Sequence, residues 1–167
     1  MRKIQLVLIA LLFVVSGSFA QDIKGTYAIK NVKTGMMLRI KDANGKNGTP
    51  LVAYYPENWK CMTWDFKNTG KGTYQLQNLL TKKTFQPSAD AAADVAFEEQ
   101  PLVAEAANQQ YEFVEVKKGN YLIKLKGTEL YVTPSDVEGT VNSSIILAKK
   151  KDAPEQLWTI YKQNPTM

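Results

Sequence analysis

Short stretches of alternating apolar and polar residues recur along the chain. A period of two is typical of half-buried β-strands, because successive side chains of a strand point to opposite faces. The clearest stretches are centred on Ile29, Leu76 and Ile123. Clusters rich in Gly, Asn, Asp and Ser separate the stretches and predict turns and loops. After the first twenty residues there is no long helical period, so the pattern predicts an all-β fold.

Three copies of one pattern follow each other at a fixed interval. Each copy opens with a Lys-Gly-x-Tyr segment, and these segments are Lys24–Tyr27, Lys71–Tyr74 and Lys118–Tyr121. Each copy closes on a large aromatic residue, and these are Trp64, Tyr111 and Trp158. Both sets are spaced by 47 residues. A shared period at several anchor positions indicates that one supersecondary unit is used three times.

Each copy is predicted to hold four strands. The second strands are predicted at Met36–Ile40, Thr84–Gln86 and Glu129–Val132. The third strands are predicted at Leu51–Tyr55, Leu102–Glu105 and Ile145–Ala148. The fourth strand of each copy carries its closing aromatic residue, which gives about twelve strands in all. Because one unit cannot bury its apolar face alone, three units are expected to close around a shared axis.

The first twenty residues have the pattern of a secretory signal peptide. Arg2 and Lys3 precede an almost unbroken apolar run over 4–15, and small residues follow at 18–20. The run is too short to cross a bilayer comfortably, so we predict cleavage after residue 20 and no membrane span. The expected location is secreted or periplasmic, in a bacterial cell. Residues 21–167 would then form a single domain, with repeats at about 24–70, 71–117 and 118–163.

Charge and residue composition argue against several classes of function. The 21 basic residues exceed the 16 acidic ones, but the lysines are scattered, whereas a nucleic-acid surface needs a wide basic face. Without histidine, and with Cys61 as the single cysteine, neither a Ser-His-Asp triad nor a zinc site can be assembled. Nothing in the spacing singles out a carboxylate pair for hydrolysis. We therefore predict no catalytic activity, no metal, no cofactor and no nucleic-acid partner, and we expect Cys61 to be a small buried hydrophobe.

Several segments resemble the repeats of ricin-type lectins. They are the Gly-x-Tyr openings, the turn from Asn31 to Gly35, the segment 47–52 and the closing Gln156-Leu157-Trp158. The resemblance covers residues 21–167 and implies a β-trefoil with pseudo-threefold symmetry. It also implies that the domain binds carbohydrate.

The resemblance implies a set of sugar-binding positions within each repeat. Ricin-type lectins use an Asp on the second strand, an aromatic ring near the end of the third strand, and an Asn or Gln before the closing aromatic residue. The Asp position holds, in repeat order, Arg39, Gln86 and either Tyr131 or Thr133. The ring position holds Tyr54, Glu105 and either Ala148 or Lys149. The usual Asp is therefore missing from all three repeats, and no repeat carries the complete set.

The loop after the third strand of the first repeat carries extra aromatic and polar side chains. It is about four residues longer than its counterpart in the second repeat. With Arg39, whose guanidinium offers a planar set of donors, we interpret this loop as a surface for a glycan or an anionic glycan group. The candidate carbohydrate-binding residues are Arg39, Tyr54, Tyr55, Asn58 and Trp59. The alternative is that Tyr55 and Trp59 cap the open end of the barrel while Arg39 forms a surface ion pair.

Two other functions remain open from the sequence. The first is a protein-binding trefoil, such as a protease inhibitor, that acts through an exposed loop; the segment 89–100 has a suitable length and small residues. The second is a structural or accessory role with no small ligand. A lectin with one weak site would also gain avidity from self-association.

Overall fold

A computed structural model describes residues 22–70 and 72–167, so the predicted signal peptide lies outside the described residues. The strands are β1 (Gly25–Asn31), β2 (Met37–Ile40), β3 (Leu51–Tyr54), β4 (Trp64–Gly70), β5 (Thr73–Asn78), β6 (Thr84–Pro87), β7 (Phe97–Gln100), β8 (Tyr111–Lys117), β9 (Asn120–Leu125), β10 (Leu130–Pro134), β11 (Ile145–Lys149) and β12 (Trp158–Lys162). Four single-turn 3₁₀ helices accompany them, at Lys41–Ala43, Lys60–Met62, Ala107–Gln109 and Pro154–Gln156. The prediction of an all-β fold with about twelve strands is confirmed.

Six strands close into a barrel. Going round it, antiparallel pairs join β1 to β4, β4 to β5, β5 to β8, β8 to β9, β9 to β12, and β12 back to β1. The other six strands form three hairpins, β2–β3, β6–β7 and β10–β11, one in each repeat. Six barrel strands and three hairpins from three equivalent repeats make a β-trefoil.

The closing aromatic residues explain the 47-residue period. Trp64, Tyr111 and Trp158 are fully buried where barrel and hairpins meet. Each of these side chains donates a hydrogen bond to a carbonyl on the second strand of its own repeat, and the acceptors are Leu38, Phe85 and Val132, again 47 residues apart. The three contacts hold each hairpin against the barrel in the same way, which gives the pseudo-threefold symmetry.

The third strand of the second repeat was wrongly predicted. It is β7, at Phe97–Gln100, and not Leu102–Glu105, which lies in a loop. Glu99 occupies a buried position of β7, so the strand lacks the apolar alternation that the prediction relied on. Val103, by contrast, is exposed although it is apolar. The remaining second and third strands agree with the prediction to within one or two residues.

The segment 89–100 is not one exposed loop, which corrects the prediction for a protein-binding loop. Its last four residues belong to β7, and β7 pairs with β6. Asp94 and Val95 are also tied to the third repeat, since the Asp94 amide donates to the Leu147 carbonyl and the Leu147 amide donates to Val95. Only the stretch 88–94 is exposed.

Within the described parts of the chain, no helix has the length and apolar character needed to cross a membrane.

Candidate functional site

The pairing of β2 with β3 brings Arg39 to the Tyr54 ring. Arg39 lies opposite Val52, and Tyr54 follows two residues later on the same face of β3. The guanidinium carbon of Arg39 lies 4.0 Å from the centre of the Tyr54 ring. This is a close cation–π contact, of the kind that contributes about 2 kcal/mol when it is sheltered from water.

Trp59 joins this pair from the following loop. It directly precedes the 3₁₀ helix Lys60–Met62, which fixes its backbone beside β2. Its ring centre lies 6.0 Å from that of Tyr54 and 5.6 Å from the guanidinium carbon of Arg39. Two aromatic rings therefore surround one cation, and together these three residues form the aromatic–arginine cluster.

The Arg39 side chain is buried without a charged partner. Only 8% of its surface is exposed, and its Nε has no hydrogen-bond partner. No carboxylate among the described residues forms an ion pair with it. The surface ion pair considered as an alternative is therefore not what residues 22–70 and 72–167 show.

A pocket of about 390 Å³ opens beside the cluster. It is lined by Arg39, Ala43, Trp59, Lys60, Cys61, Leu80 and Met167. The Met167 carbonyl accepts a hydrogen bond from the Lys60 amide, which holds the end of the chain against the pocket wall. The lining is largely apolar, but it contains two cationic side chains, Arg39 and Lys60.

Cys61 forms part of the pocket wall next to Arg39. It is a free, buried cysteine that packs with Ala28, Met37 and Met62, so its predicted role as a small hydrophobe agrees with the structure. Burial raises the pKa of the Cys61 thiol, and the Arg39 guanidinium opposes part of that rise. Burial therefore favours the protonated thiol, which is a weaker nucleophile than the thiolate.

The other two predicted residues lie outside the aromatic–arginine cluster, and neither they nor Tyr54 line the pocket. Tyr55 is 55% exposed and contacts Tyr54 edge-on, with ring centres 5.8 Å apart. The Asn58 side chain donates to the Asn164 carbonyl and lines a separate groove that also includes Tyr161. Of the five candidate residues, the structure thus brings Arg39, Tyr54 and Trp59 together. Tyr55 contacts this cluster at its edge, and the Asn58 side chain lies in the separate groove.

In the second and third repeats, the residue equivalent to Arg39 forms a hydrogen bond with another side chain of the protein. Gln86 accepts a hydrogen bond from the Gln109 side chain at 2.8 Å. Thr133 accepts one from the Gln156 side chain at 3.1 Å, which identifies Thr133 rather than Tyr131 as the equivalent residue. Gln109 and Gln156 each lie two residues before the closing aromatic residue, and we call them the closing glutamines. In the first repeat the equivalent residue is Met62, so Arg39 has no such partner.

The strand pairing also settles the ring positions. Tyr54 lies opposite Met37, and the equivalent pairs are Thr84 with Gln100 and Tyr131 with Ala148. The ring position of the second repeat is therefore held by Gln100 and not by Glu105, which was predicted from the misplaced strand. The ring position of the third repeat is held by Ala148 and not by Lys149. Only the first repeat presents an aromatic ring there.

Sequence reasoning missed several residues of the pocket wall. Lys60, Leu80 and Met167 come from three separate places in the chain, and only the fold brings them together. The one signal available in the sequence was the basic residue directly after Trp59. Among the described residues there is no cluster of His, Cys, Asp or Glu that could hold a metal ion.

Comparison with known families places these observations in context. The model of the ricin-type β-trefoil lectin domain-like family matches residues 13–96, which is half of the chain and includes the whole aromatic–arginine cluster. The chain belongs to this ricin-type family. A search of curated protein sequences finds no match.

Solved structures show the same fold. The designed threefold-symmetric protein ThreeFoil matches with a TM-score of 0.79 and 16% identity, over 83% of this chain and 99% of its own. The Rhizoctonia solani agglutinin matches with a TM-score of 0.76 and 20% identity, over 86% and 99%. The Macrolepiota procera ricin B-like lectin, solved in complex with lactose, matches with a TM-score of 0.71 and 20% identity, over 86% and 99%. At these identities the likeness shows the β-trefoil fold of this ricin-type chain.

Proposed function

We propose that this ricin-type domain is a carbohydrate-binding module without catalytic activity and that it binds its glycan through the first repeat. The observation that carries the proposal is the aromatic–arginine cluster beside the 390 Å³ pocket. The fold and family agree with a lectin role. The leader pattern supports a location outside the cytoplasm.

The pocket has both kinds of surface that a sugar needs. The apolar C–H face of a sugar ring stacks on an aromatic ring, and its hydroxyl groups need fixed polar partners. Trp59 lines the pocket and supplies the platform, while Arg39 already covers one face of Tyr54. Tyr54 thus orients Arg39, while exposed Tyr55 contacts Tyr54 edge-on outside the pocket wall.

The chemistry of the pocket supports binding without catalysis. Its lining includes Arg39, Lys60 and Cys61 but no carboxylate side chain and no imidazole, the groups that most often act as general bases. Cys61 has no histidine to activate it, because the chain contains none. No carboxylate side chain lines the pocket to attack or protonate a glycosidic bond.

A glycan array probed with the purified protein and with Trp59→Ala tests the proposal. Alanine is a conservative choice, because Ala106 and Ala153 occupy the equivalent positions before the 3₁₀ helices of the other repeats. Val116→Ala is the control, since Val116 is exposed on β8, a strand with no residue in the pocket wall. We expect selective glycan binding that Trp59→Ala abolishes and Val116→Ala preserves.

Two results would contradict the proposal. Binding that survives Trp59→Ala would place the site elsewhere in the trefoil. A blank array with a folded protein would instead favour the protein-binding alternative, and capture of a partner from the secreted proteins would then follow.

A further inference from the structure

We infer that the first-repeat pocket selects glycans that carry an anionic group, a carboxylate or a sulfate, and that Arg39 binds this group with help from Lys60. The inference rests on the proposed function and specifies the ligand of the same site. It predicts that neutral sugars alone are poor ligands.

Arg39 carries a charge that no acidic side chain of the described residues balances. A buried guanidinium is costly unless it is paired and hydrogen-bonded. The Tyr54 and Trp59 rings attract the cation but carry no opposite formal charge. The buried Nε has no partner, and no carboxylate of the described residues forms an ion pair with Arg39. An anionic ligand would supply the missing counter-charge to the Arg39 side chain, which lines the pocket.

The second and third repeats satisfy the equivalent position internally, whereas the first repeat does not. Where the second and third repeats have Gln86 and Thr133, a glutamine side chain donates to them and completes a network within the protein. In the first repeat, both members of the pair differ: the acceptor is replaced by the cation Arg39 and the glutamine by Met62. The two changes together remove the glutamine partner and leave Arg39 with an unpartnered Nε and the Cys61 thiol as a hydrogen-bonding neighbour.

The side chains of the pocket wall are cationic where they are charged. They include Arg39 and Lys60 and no acidic side chain, while the negative group of the wall is the main-chain terminus at Met167, whose oxygen accepts from the Lys60 amide. Lys60 likewise forms no ion pair within the described residues. Two unpaired cations beside an aromatic platform complement a sugar ring with a negative substituent at its edge. The volume of about 390 Å³ lies within the range of small-molecule pockets.

The test compares matched glycans that differ only in charge. An array carries neutral glycans, the same glycans with a terminal uronic or sialic acid, and the same glycans with a sulfate ester. We expect the purified protein to bind one or both charged sets at least about tenfold better than the neutral set, which corresponds to one charge-assisted hydrogen bond or more. The carboxylate and sulfate arms show which group is recognised.

Two substitutions test whether the preference for charged glycans comes from the pocket. Arg39→Gln introduces the residue found at the equivalent position of the second repeat, and Lys60→Ala introduces the alanine found at position 107. We expect Arg39→Gln to remove the preference for charged glycans and Lys60→Ala to reduce it, with thermal unfolding showing that each variant is folded. Lys33→Ala, an exposed lysine outside the pocket wall, is the control and should retain the preference. If Arg39→Gln does not fold, Lys60→Ala alone decides the assignment.

The outcomes separate this inference from the proposed function. Equal binding of neutral and charged glycans, lost in Trp59→Ala, would overturn the inference and leave the proposed function standing. A preference for charged glycans that survives Lys60→Ala and Arg39→Gln would overturn it as well. Absence of binding to every arm by a folded protein would overturn both.

Discussion

The Thr81 hydroxyl donates a hydrogen bond to one carboxylate oxygen of Glu99, while the other oxygen is buried without a partner. Glu99 is fully buried on β7, where the first and third repeats have the core residues Ala53 and Leu147. Burial raises the pKa of the Glu99 carboxyl, and the Thr81 hydroxyl and the charge of Lys83 offset part of the rise. A carboxyl group therefore occupies a core position of the second repeat.

We predict that the stability of the domain falls as the pH rises through the folded pKa of Glu99. Because the folded pKa is raised, the folded state binds the proton more tightly than the unfolded state does. The stability gained from this proton is complete below the unfolded pKa of about 4.3 and is lost as the pH rises through the folded pKa. Denaturant unfolding at a series of pH values from 4 upward measures the slope.

Glu99→Gln should remove this part of the pH dependence, because glutamine does not titrate, and should raise the free energy of unfolding at pH 7 by about 1 kcal/mol. Glu98→Gln is the matched control, since Glu98 is only half-buried and its carboxylate accepts a hydrogen bond from Gln100. A slope that persists in Glu99→Gln would show that another group carries it.

The hydrogen bonds of the closing aromatic residues are predicted to stabilise the trefoil. The Tyr111 hydroxyl is fully buried and donates to the Phe85 carbonyl at 2.7 Å. Tyr111→Phe keeps the ring but leaves that carbonyl without its donor, so we expect a loss of about 1–2 kcal/mol in the free energy of unfolding. Chemical denaturation measures it, and glycan binding should not change.

Tyr121→Phe is the control for this prediction. Its ring is half-buried, and its hydroxyl forms no hydrogen bond to other described residues. The expected change is within about 0.5 kcal/mol. Equal losses in the two variants would mean that the Tyr111 hydrogen bond contributes nothing beyond the general effect of removing a hydroxyl.

The sequence predicts the fold well where the same core contact recurs in each repeat. The anchors Trp64, Tyr111 and Trp158 recur every 47 residues because each performs the same contact in the core. The prediction failed at β7, where the buried position holds Glu99 instead of an apolar residue. A local pattern of polarity cannot reveal a carboxyl group that tertiary structure buries.

The candidate site could be predicted only in part. Arg39 and Tyr54 lie on adjacent strands of one hairpin, so their proximity follows from local pairing. Asn58 was grouped with them because it is close in sequence, but the loop turns its side chain toward Asn164. The contribution of Met167 depends on how the end of the chain folds back over the barrel, which no local pattern encodes.

The closing glutamine of the third repeat is predicted to be a major source of stability. The fully buried Gln156 side chain donates to Thr133 and to the Lys149 carbonyl at 2.8 Å, and it accepts from the Lys151 amide at 2.6 Å. Gln156→Met has a similar shape and reproduces the residue of the first repeat, Met62. It removes three hydrogen bonds of a fully buried side chain and leaves the part-buried Lys151 amide and Lys149 carbonyl without this partner, so we expect a loss of about 2–3 kcal/mol.

Chemical denaturation of Gln156→Met measures this loss. Gln77→Met provides the comparison, because the Gln77 side chain makes one exposed hydrogen bond to the Lys82 carbonyl. That variant should change the free energy of unfolding by less than about 0.5 kcal/mol. A small effect at Gln156 would indicate that water replaces its hydrogen bonds after the substitution.

The Cys61 thiol reports on the charge of the pocket without any ligand. Burial raises its pKa and shields it, so we expect alkylation of the native protein by iodoacetamide to be at least about tenfold slower than that of the unfolded chain at the same pH. Since the Arg39 guanidinium opposes the rise, Arg39→Gln should move the pH dependence of alkylation to still higher pH. An unchanged pH dependence in Arg39→Gln would show that the guanidinium does not act on the thiol, and a shift to lower pH would contradict the placement of the charge beside it.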